Sequence, residues 1–463
     1  MSRTRIRAGK IVTDGRSFSG DILIEAGRIV AVEKNNATAG DERFIDASDC
    51  EVFPGGIDPH VHLELKTAAG VSSDDFASGS RAALAGATTT IIDFVTPGRG
   101  EPLPAALAAR KAAARKSCCD WALHMSATSF SAALEAELDA CRREGITSLK
   151  TYLAYKETIG LDDGQFLSVL ELARRQNFLV MVHAEAGDMV AFLQKKLLAA
   201  GKTSVASHPL SRPAEVEGDA VRRALLMARL AGVPIYIVHV SSRQGVEAVR
   251  AARAAGQTVI AETCPQYLLL DESRYQGDSA AAAAFVMSPP LRGREHQDVL
   301  WEGLAQGWLQ TLASDHCPFS LEEKRKFAAV DFSRIPNGCG GIEYRLPLLY
   351  SFGVKTGKIS LARFVDLVSV RPAKIFGLYP RKGAIRAGSD ADIVVWDPNL
   401  KRTVAADRQW QRGGHTVYEG LELHGAPRLV LGRGEIVFAD DQVTAAEGRG
   451  EYLARGQANG RAD

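Results

Sequence analysis

The sequence predicts an α/β protein whose larger part is a (β/α)8 TIM-type barrel and whose smaller part is a β-sandwich domain built from both chain ends. Two observations support this prediction. Eight short apolar runs rich in β-branched residues alternate with stretches of helical spacing, as in a barrel of parallel strands. Both chain ends instead alternate apolar and polar positions around glycine-containing turns, which is typical of antiparallel strands.

The predicted barrel strands and helices follow one another along the central part of the chain. In order, the strands are predicted at 56–63, 88–94, 121–127, 146–152, 178–185, 234–242, 257–264 and 309–318. Alanine-, leucine- and arginine-rich stretches with helical periodicity lie between them, at 105–116, 132–144, 164–176, 219–231 and 244–255. Strands that alternate with helices in this way indicate a parallel sheet.

The chain ends differ from the predicted barrel in their pattern of apolar and polar residues. Residues 3–51 carry turn signals such as Asp14-Gly15, and residues 383–397 and 428–440 show similar alternation. We therefore expect a catalytic barrel at 54–374 and a β-sandwich domain made of 1–53 and 375–440. The remainder, 441–463, is charged and glycine-rich, and we expect it to be disordered or an arm that reaches a neighbouring subunit.

Side chains that can bind a metal ion recur near the ends of the predicted strands. His60 and His62 are separated by one residue, so in a strand both imidazoles point to the same face. Four later strands also carry a polar residue toward their ends: Lys150, His183, His239 and Asp315. Barrel enzymes build their active sites at these strand ends. Isolated buried polar groups would cost about 2–7 kcal/mol each, so a shared metal centre is the arrangement that satisfies them together.

Lys150 is the unusual member of this set, because an ammonium repels a metal ion. A salt bridge, or a side chain that reaches toward solvent, is the simpler alternative. In a desolvated pocket, however, the pKa of a lysine falls, and the neutral amine can add CO₂ to give a carbamate. A carbamate would bridge two divalent ions about 3.5–4 Å apart, as an aspartate does, so the six residues suffice for a two-metal site.

Other polar residues near these motifs have simpler explanations. His316 follows Asp315 and points to the opposite face if the strand continues, so we expect a supporting role rather than metal binding. His124 lies within a strand and is expected to be a hydrogen-bonded core residue. Asp390 and Asp392 lie in a Gly-Ser-Asp-Ala-Asp stretch and are interpreted as turn residues.

Composition excludes several functional classes. The 463 residues allow a barrel plus a second domain, and the formal net charge of +1 provides no basic surface for nucleic acid or for an anionic membrane. No apolar run reaches the roughly 18 residues that span a bilayer, and the N-terminus lacks a signal-peptide core. Seven cysteines at scattered positions indicate reduced thiols, so we expect a cytoplasmic protein.

Taken together, the motifs identify a family. They are, in chain order, Pro-Gly-Gly-Ile-Asp-Pro-His-Val-His at 54–62, Thr-Thr-Thr-Ile-Ile-Asp-Phe at 88–94, Leu-Lys-Thr-Tyr-Leu-Ala-Tyr-Lys at 149–156, Val-His-Ala-Glu at 182–185, Ser-Arg-Pro-Ala-Glu-Val-Glu-Gly at 211–218, His-Val-Ser-Ser at 239–242, Ser-Pro-Pro-Leu-Arg at 288–292 and Ser-Asp-His-Cys-Pro-Phe at 314–319. Over essentially its whole length the chain resembles the dihydropyrimidinase and hydantoinase family of cyclic amidohydrolases.

The resemblance implies a role for each candidate residue. His60 and His62 would bind the more buried metal ion, and His183 and His239 the second. Carboxylated Lys150 and a hydroxide would bridge the ions, which are expected to be zinc, with manganese or cobalt as alternatives. Asp315 would bind the buried ion and transfer protons. Tyr155 would stabilise the oxyanion, while Ser288 and Asn337 would hold the ring of a small cyclic ureide largely through their backbone. The family also implies a homotetramer.

The same resemblance narrows the reaction. It implies hydrolysis of the cyclic amide bond of hydantoins, including aryl-substituted ones, or of dihydropyrimidines, with N-carbamoyl amino acids as products. Dihydroorotases carry an arginine at the position of Glu64, and a glutamate there repels an anionic substrate. Residues Leu63–Gly70 replace the Met-Pro-Phe-like segment usual in hydantoinases, which leaves the exocyclic group of the substrate open. Allantoinase is the alternative enzyme, and a scaffold homologue without catalysis is disfavoured because all six ligand positions are filled.

Overall fold

The computed structural model describes residues 3–34, 42–98 and 100–456, which form a parallel barrel and a second, mainly antiparallel sheet. In chain order, the strands are β1 (Thr4–Thr13), β2 (Arg16–Glu25), β3 (Arg28–Glu33), β4 (Arg43–Pro54), β5 (Gly56–Val61), β6 (Lys66–Thr67), β7 (Gly70–Val71), β8 (Thr88–Val95), β9 (Asp120–Ser126), β10 (Ser148–Tyr152), β11 (Leu179–His183), β12 (Ile235–Ile237), β13 (Val259–Thr263), β14 (Thr311–Leu312), β15 (Ile393–Thr403), β16 (Glu422–Gly432), β17 (Glu435–Ala439) and β18 (Gln442–Val443).

Helices connect the barrel strands and cover the outside of the barrel. They are α1 (Phe76–Ala85), α2 (Leu103–Ala114), α3 (Leu134–Arg143), α4 (Asp163–Gln176), α5 (Gly187–Ala199), α6 (Ser207–Leu210), α7 (Ala214–Ala231), α8 (Arg243–Ala254), α9 (Pro265–Leu269), α10 (Ser279–Ala282), α11 (Gln297–Gln306), α12 (Leu321–Ala328), α13 (Arg345–Leu349), α14 (Leu361–Val365) and α15 (Arg371–Ile375). In the part of the chain that the structure describes, no helix is long and apolar enough to cross a membrane.

The barrel consists of parallel strands in the order β5-β8-β9-β10-β11-β12-β13-β14. Its strands are buried along their whole length, as expected when helices cover one face and the barrel core the other. A bridge between Val61 and His316 closes the ring, and the main-chain N–H of His62 donates to the His316 carbonyl at 2.8 Å. Eight alternating strands and helices were predicted from the sequence, and the barrel is confirmed.

The second domain is one continuous sheet that combines both chain ends. Its order is β18-β17-β16-β15-β4-β1-β2-β3, and β4 lies at the centre, parallel to β1 and antiparallel to β15. Alternate positions such as Ile6, Ala8, Ile22 and Ile393 form an apolar cluster on one face. The predicted fold class, a (β/α)8 barrel with a β-sandwich domain built from both chain ends, is therefore confirmed, and the strands of the second domain form one eight-stranded, mainly antiparallel sheet.

Capping residues set the ends of the connecting helices. Asp162 forms a capping box with Gln165 at the start of α4, which ends at Asn177 in the left-handed conformation. Most predicted helices match to within two residues, but α7 begins at Ala214, five residues before the predicted start at 219. Pro213 directly precedes α7, and two acidic residues in its first turn favour this earlier start.

Part of the segment 441–463, which was expected to be disordered or an arm that reaches a neighbouring subunit, contacts the barrel of its own chain. Residues 450–453 run beside β9, where the N–H of Trp121 donates to the Glu451 carbonyl at 3.0 Å and that of Leu453 to the Trp121 carbonyl at 2.8 Å. Leu453 joins Phe376 in the apolar cluster inside the base of the barrel. These few apolar contacts hold a segment whose average composition is polar. The last predicted tail residues, 457–463, lie outside the described residues.

Candidate metal centre

Three of the predicted ligands meet at the C-terminal end of the barrel. His60 lies in β5, His62 directly follows that strand, and Asp315 follows β14. The Nε2 atoms of the two histidines are 3.2 Å apart, and Asp315 Oδ1 lies 3.2 Å from His60 Nε2 and 3.3 Å from His62 Nε2. Two imidazole nitrogens and a carboxylate that converge in this way are a donor set that suits a divalent ion.

Lys150 lies beside this group without a counter-ion. Its side chain in β10 is buried, with Nζ 3.4 Å from His60 Nε2 and 4.9 Å from the centre of the Phe94 ring. No carboxylate of the described residues lies within salt-bridge distance of Nζ. Burial lowers the pKa of Lys150 to about 8, although Asp315 and Glu262 raise it. The simpler explanation, a salt-bridged lysine, therefore does not apply in the described structure.

His183 and His239 form the other side of the site. His183 ends β11, and His239 stands two residues beyond β12. The centres of their rings are 4.6 Å apart, and the ring of His239 lies 5.5 Å from that of His60. The structure therefore brings all six predicted ligands to the same end of the barrel, as two neighbouring groups with Lys150 beside His60.

Two buried glutamates contact the candidate ligands and orient the rings of His60 and His183. Glu262 accepts a short hydrogen bond from His60 Nδ1 and another from the His239 main-chain N–H at 3.1 Å. Glu185 pairs with His183 Nε2 at 2.7 Å. Each carboxylate fixes which ring nitrogen carries the proton and leaves the other lone pair free, as is usual for metal-binding histidines. Neither glutamate was assigned a role from the sequence.

The electrostatics of the site favour neutral imidazoles beside an ionised Asp315. Burial lowers the pKa of His60, His183 and His239, so these rings are neutral and able to bind metal. Burial alone would raise the pKa of Asp315, but the neighbouring His60 and His62 lower it to about 2. This combination of neutral nitrogen donors and an ionised carboxylate fits the metal centre predicted from the sequence.

Tyr155 and Ser288 lie close to His183 and its partner Glu185, and Asn337 is connected to the segment before Ser288. The Tyr155 ring centre lies 5.3 Å from that of His183, and burial raises the pKa of its hydroxyl. Ser288 Oγ lies 3.5 Å from Glu185 Oε2. Asn337 lies on a turn that is joined to the segment before Ser288, because the N–H of Gly338 donates to the Val286 carbonyl at 3.1 Å.

Comparison with known proteins agrees with this geometry. The model of the amidohydrolase family matches residues 52–437, which include the whole barrel. The chain belongs to the amidohydrolase family.

Within the family, this amidohydrolase is similar to hydantoinases and dihydropyrimidinases. It is 44% identical to a D-hydantoinase from Geobacillus stearothermophilus over 97% of the chain and 96% of that protein. It is 40% identical to a D-phenylhydantoinase from Escherichia coli over 98% of both chains. The crystal structure of a dihydropyrimidinase from Brevibacillus agri matches with a TM-score of 0.96 and 40% identity, covering 98% of this chain and 99% of that one.

Three predicted site residues of this amidohydrolase have left-handed backbone conformations. The φ angles are 58° at Tyr155, 35° at His239 and 50° at Asp315. Side chains other than glycine avoid this region, and such strain is concentrated at functional sites. The surrounding contacts must hold these residues in place, which keeps the donor atoms in a fixed arrangement.

Arg212 is a charged residue at the site that sequence reasoning did not assign. It is buried, its Nη1 contacts Glu185 Oε2 at 2.5 Å, and its guanidinium lies 5.5 Å from the centre of the Tyr155 ring. Despite burial, Arg212 and His183 lower the pKa of Glu185 to about 2, so this carboxylate stays ionised. The Ser-Arg-Pro motif indicated that Arg212 matters to the family, but the sequence does not show that its partner is Glu185.

Proposed function

We propose that this amidohydrolase hydrolyses the cyclic amide bond of hydantoins, including aryl-substituted ones, or of dihydropyrimidines, and releases N-carbamoyl amino acids. The observation that carries the proposal is the convergence of His60, His62 and Asp315 beside a buried lysine that has no carboxylate partner among the described residues. The names of the similar proteins, hydantoinases and a dihydropyrimidinase, support the substrate class. None of these names supports the allantoinase alternative.

Two divalent ions would be held by the six converging residues. His60, His62 and Asp315 would hold the more buried ion, and His183 and His239 the second. Lys150, carboxylated by CO₂, would bridge them, since a neutral amine is accessible when the pKa is about 8. We propose zinc, with manganese or cobalt as alternatives. When bound, such ions supply an activated water nucleophile and polarise the amide carbonyl.

Two side chains of the protein would act on the protons of the reaction, one by transferring a proton and one by donating a hydrogen bond. Asp315, with a pKa of about 2, is ionised at neutral pH and able to accept a proton from the nucleophile. It would then donate that proton to the ring nitrogen, which is a poor leaving group as an anion. Burial raises the pKa of Tyr155, so its hydroxyl keeps its proton and can donate a hydrogen bond to the developing oxyanion.

Substrate orientation would come from the segments around the second histidine pair. Main-chain groups at Ser288 and Asn337 would bind the amide and ureide groups of the ring. The hairpin of β6 and β7 follows His62, and Ser72 Oγ donates to the His62 carbonyl at 2.8 Å, so Leu63–Gly70 is joined to the site. We propose that this hairpin contacts the exocyclic group of the substrate.

The assembly is proposed to be a homotetramer. Helices α5 and α7 expose large apolar side chains, with Phe192 66% and Leu230 69% exposed. Exposed apolar residues of this size suit burial between subunits. Light scattering coupled to size-exclusion chromatography tests the assembly, and a monomer at micromolar concentration would contradict it.

The test of function is hydrolysis of a small substrate panel by metal-loaded protein. Hydantoin, phenylhydantoin, dihydrouracil, allantoin and dihydroorotate are supplied in parallel, after EDTA treatment and reloading with Zn²⁺, Mn²⁺ or Co²⁺ plus bicarbonate. We expect turnover of hydantoins or dihydrouracil, with dihydroorotate inert, and no turnover by EDTA-treated protein. Asp315→Asn serves as the control that removes the proton acceptor. Turnover of allantoin alone, or full activity of metal-free protein, would overturn the proposal.

A further inference from the structure

Lys324 is a buried lysine outside the metal centre. It lies on α12, and its side chain is fully buried. Its ammonium donates to three main-chain carbonyls, those of Gly338 at 2.6 Å, Val286 at 2.8 Å and Ala284 at 3.3 Å. An ammonium has three donors, so these contacts use all of them. No carboxylate of residues 3–34, 42–98 and 100–456 lies within salt-bridge distance of it.

The three carbonyls belong to the two segments that carry the proposed ring-binding residues. Ala284 and Val286 stand four and two residues before Ser288. Gly338 directly follows Asn337, and its N–H donates to the Val286 carbonyl at 3.1 Å. The ammonium and this single main-chain hydrogen bond therefore connect the two segments to each other.

The Asn337 turn also rests on the strand end that carries Asp315. Gly338 has a φ of 144°, and a Cβ there would lie only 2.3 Å from the Cys317 carbonyl oxygen. Only glycine permits so close an approach. A displacement of this turn would therefore change the distance between Asn337 and the metal centre.

Stability alone does not account for a charge at this position. Burial of an ion without a counter-charge costs several kcal/mol, and the lowered pKa of Lys324 shows that the three carbonyls offset only part of this cost. Burial lowers the pKa of Lys324 to about 8, and the titratable groups that act on it are the thiols of Cys317 and Cys339. The ammonium therefore lowers the free energy of unfolding, and filling the space in the core would not require a charge.

We propose that Lys324 is a positioning residue whose ammonium fixes the spacing between the Ser288 and Asn337 segments, so that their main-chain groups meet the substrate ring. This inference rests on the proposed function. The ring contacts are present both before and during the reaction, so their loss should act mainly on KM. The loss of one or two hydrogen bonds to the ring corresponds to a rise in KM of about 10- to 100-fold.

The test compares Lys324→Met with Lys326→Met. Lys326 is exposed on the same helix, so the control makes the same chemical change without touching the carbonyls. For Lys324→Met we expect kcat/KM to fall about 10- to 100-fold, mostly through KM, with metal content as in the wild type. Hydrogen exchange should accelerate at residues 284–288 and 337–339. Kinetics within twofold of the wild type, or loss of metal together with activity, would refute the positioning role.

Two further measurements cover the remaining outcomes. If Lys324→Met does not fold, the wild-type KM is followed from pH 7 to 9.5 with a substrate that stays neutral. We expect KM to rise as the ammonium loses its proton, and a flat profile would refute the inference. If the wild type hydrolyses nothing in the panel, the proposed function fails by itself. Unchanged hydrogen exchange in the two segments of Lys324→Met would then separately refute the role of Lys324.

Discussion

Replacing Lys150 with methionine should stabilise the metal-free protein while abolishing its activity. Burial lowers the pKa of Lys150 from 10.5 to about 8. Each pKa unit corresponds to about 1.36 kcal/mol, so the protonated side chain opposes folding by about 3 kcal/mol. Because the folded-state pKa lies below the unfolded-state pKa, this penalty is complete below pH 8 and disappears as the pH rises toward 10.5.

This penalty already includes the attraction of Asp315 and Glu262 for the ammonium, since both raise the pKa of Lys150. Part of the gain is offset because methionine does not reproduce the shape of the lysine side chain. We therefore expect a net stabilisation of roughly 1–3 kcal/mol at pH 7. With about 2.1 cal/mol/K of unfolding entropy per residue, 463 residues give about 1 °C of Tm per kcal/mol. Scanning calorimetry in EDTA should show a rise of about 1–3 °C at pH 7 that falls by more than half at pH 9.5.

Lys382 provides the matched control because it is equally buried but has three partners. Its Nζ lies 2.5 Å from Asp120, 3.1 Å from Asp390 and 2.7 Å from Asp392. Lys382→Met leaves these buried carboxylates without the lysine cation, so we expect the free energy of unfolding to fall by about 3–5 kcal/mol. If Lys150→Met lowered the Tm in the same direction as Lys382→Met, the ammonium of Lys150 would be a stabilising core group, and the physical basis for its carboxylation would be lost.

Two further substitutions test the surroundings of the metal centre. Glu262→Gln removes the carboxyl partner of His60 Nδ1 and should weaken metal binding about 10- to 100-fold in competition with a chromogenic chelator; unchanged affinity would show that His60 needs no such support. Tyr155→Phe should lower kcat about 100- to 1,000-fold at unchanged metal content, because one oxyanion donor is lost. An effect confined to KM would instead assign Tyr155 to substrate binding alone.

Local periodicity was sufficient to predict the barrel and the common location of the candidate ligands. Side chains at i and i+2 of a strand share a face, and His60 and His62 indeed meet at 3.2 Å. Likewise His124 was expected to be a satisfied core residue, and both of its ring nitrogens have partners. These features follow from the alternation of side chains along a strand, and that alternation is visible in the sequence.

Contacts between distant charges could not be predicted in the same way. Asp390 and Asp392 were interpreted as turn residues, but both are buried and paired with Lys382. Glu262 contacts His60, which is 202 residues away in the chain, and Lys324 contacts carbonyls 14 to 40 residues away. A sequence pattern shows that a charge lies in an apolar stretch, but not which partner the fold brings to it.

The central place of β4 in the terminal sheet has a consequence for synthesis on the ribosome. β1 to β4 leave the ribosome first, but β15 follows only after about 340 further residues. At about 5–20 residues per second, that interval lasts about 20–70 s. Throughout it the β4 edge that later pairs with β15 stays open to other chains. We therefore expect a fragment that stops before Ile393 to aggregate during expression, whereas the complete chain covers this edge with its own C-terminal strands.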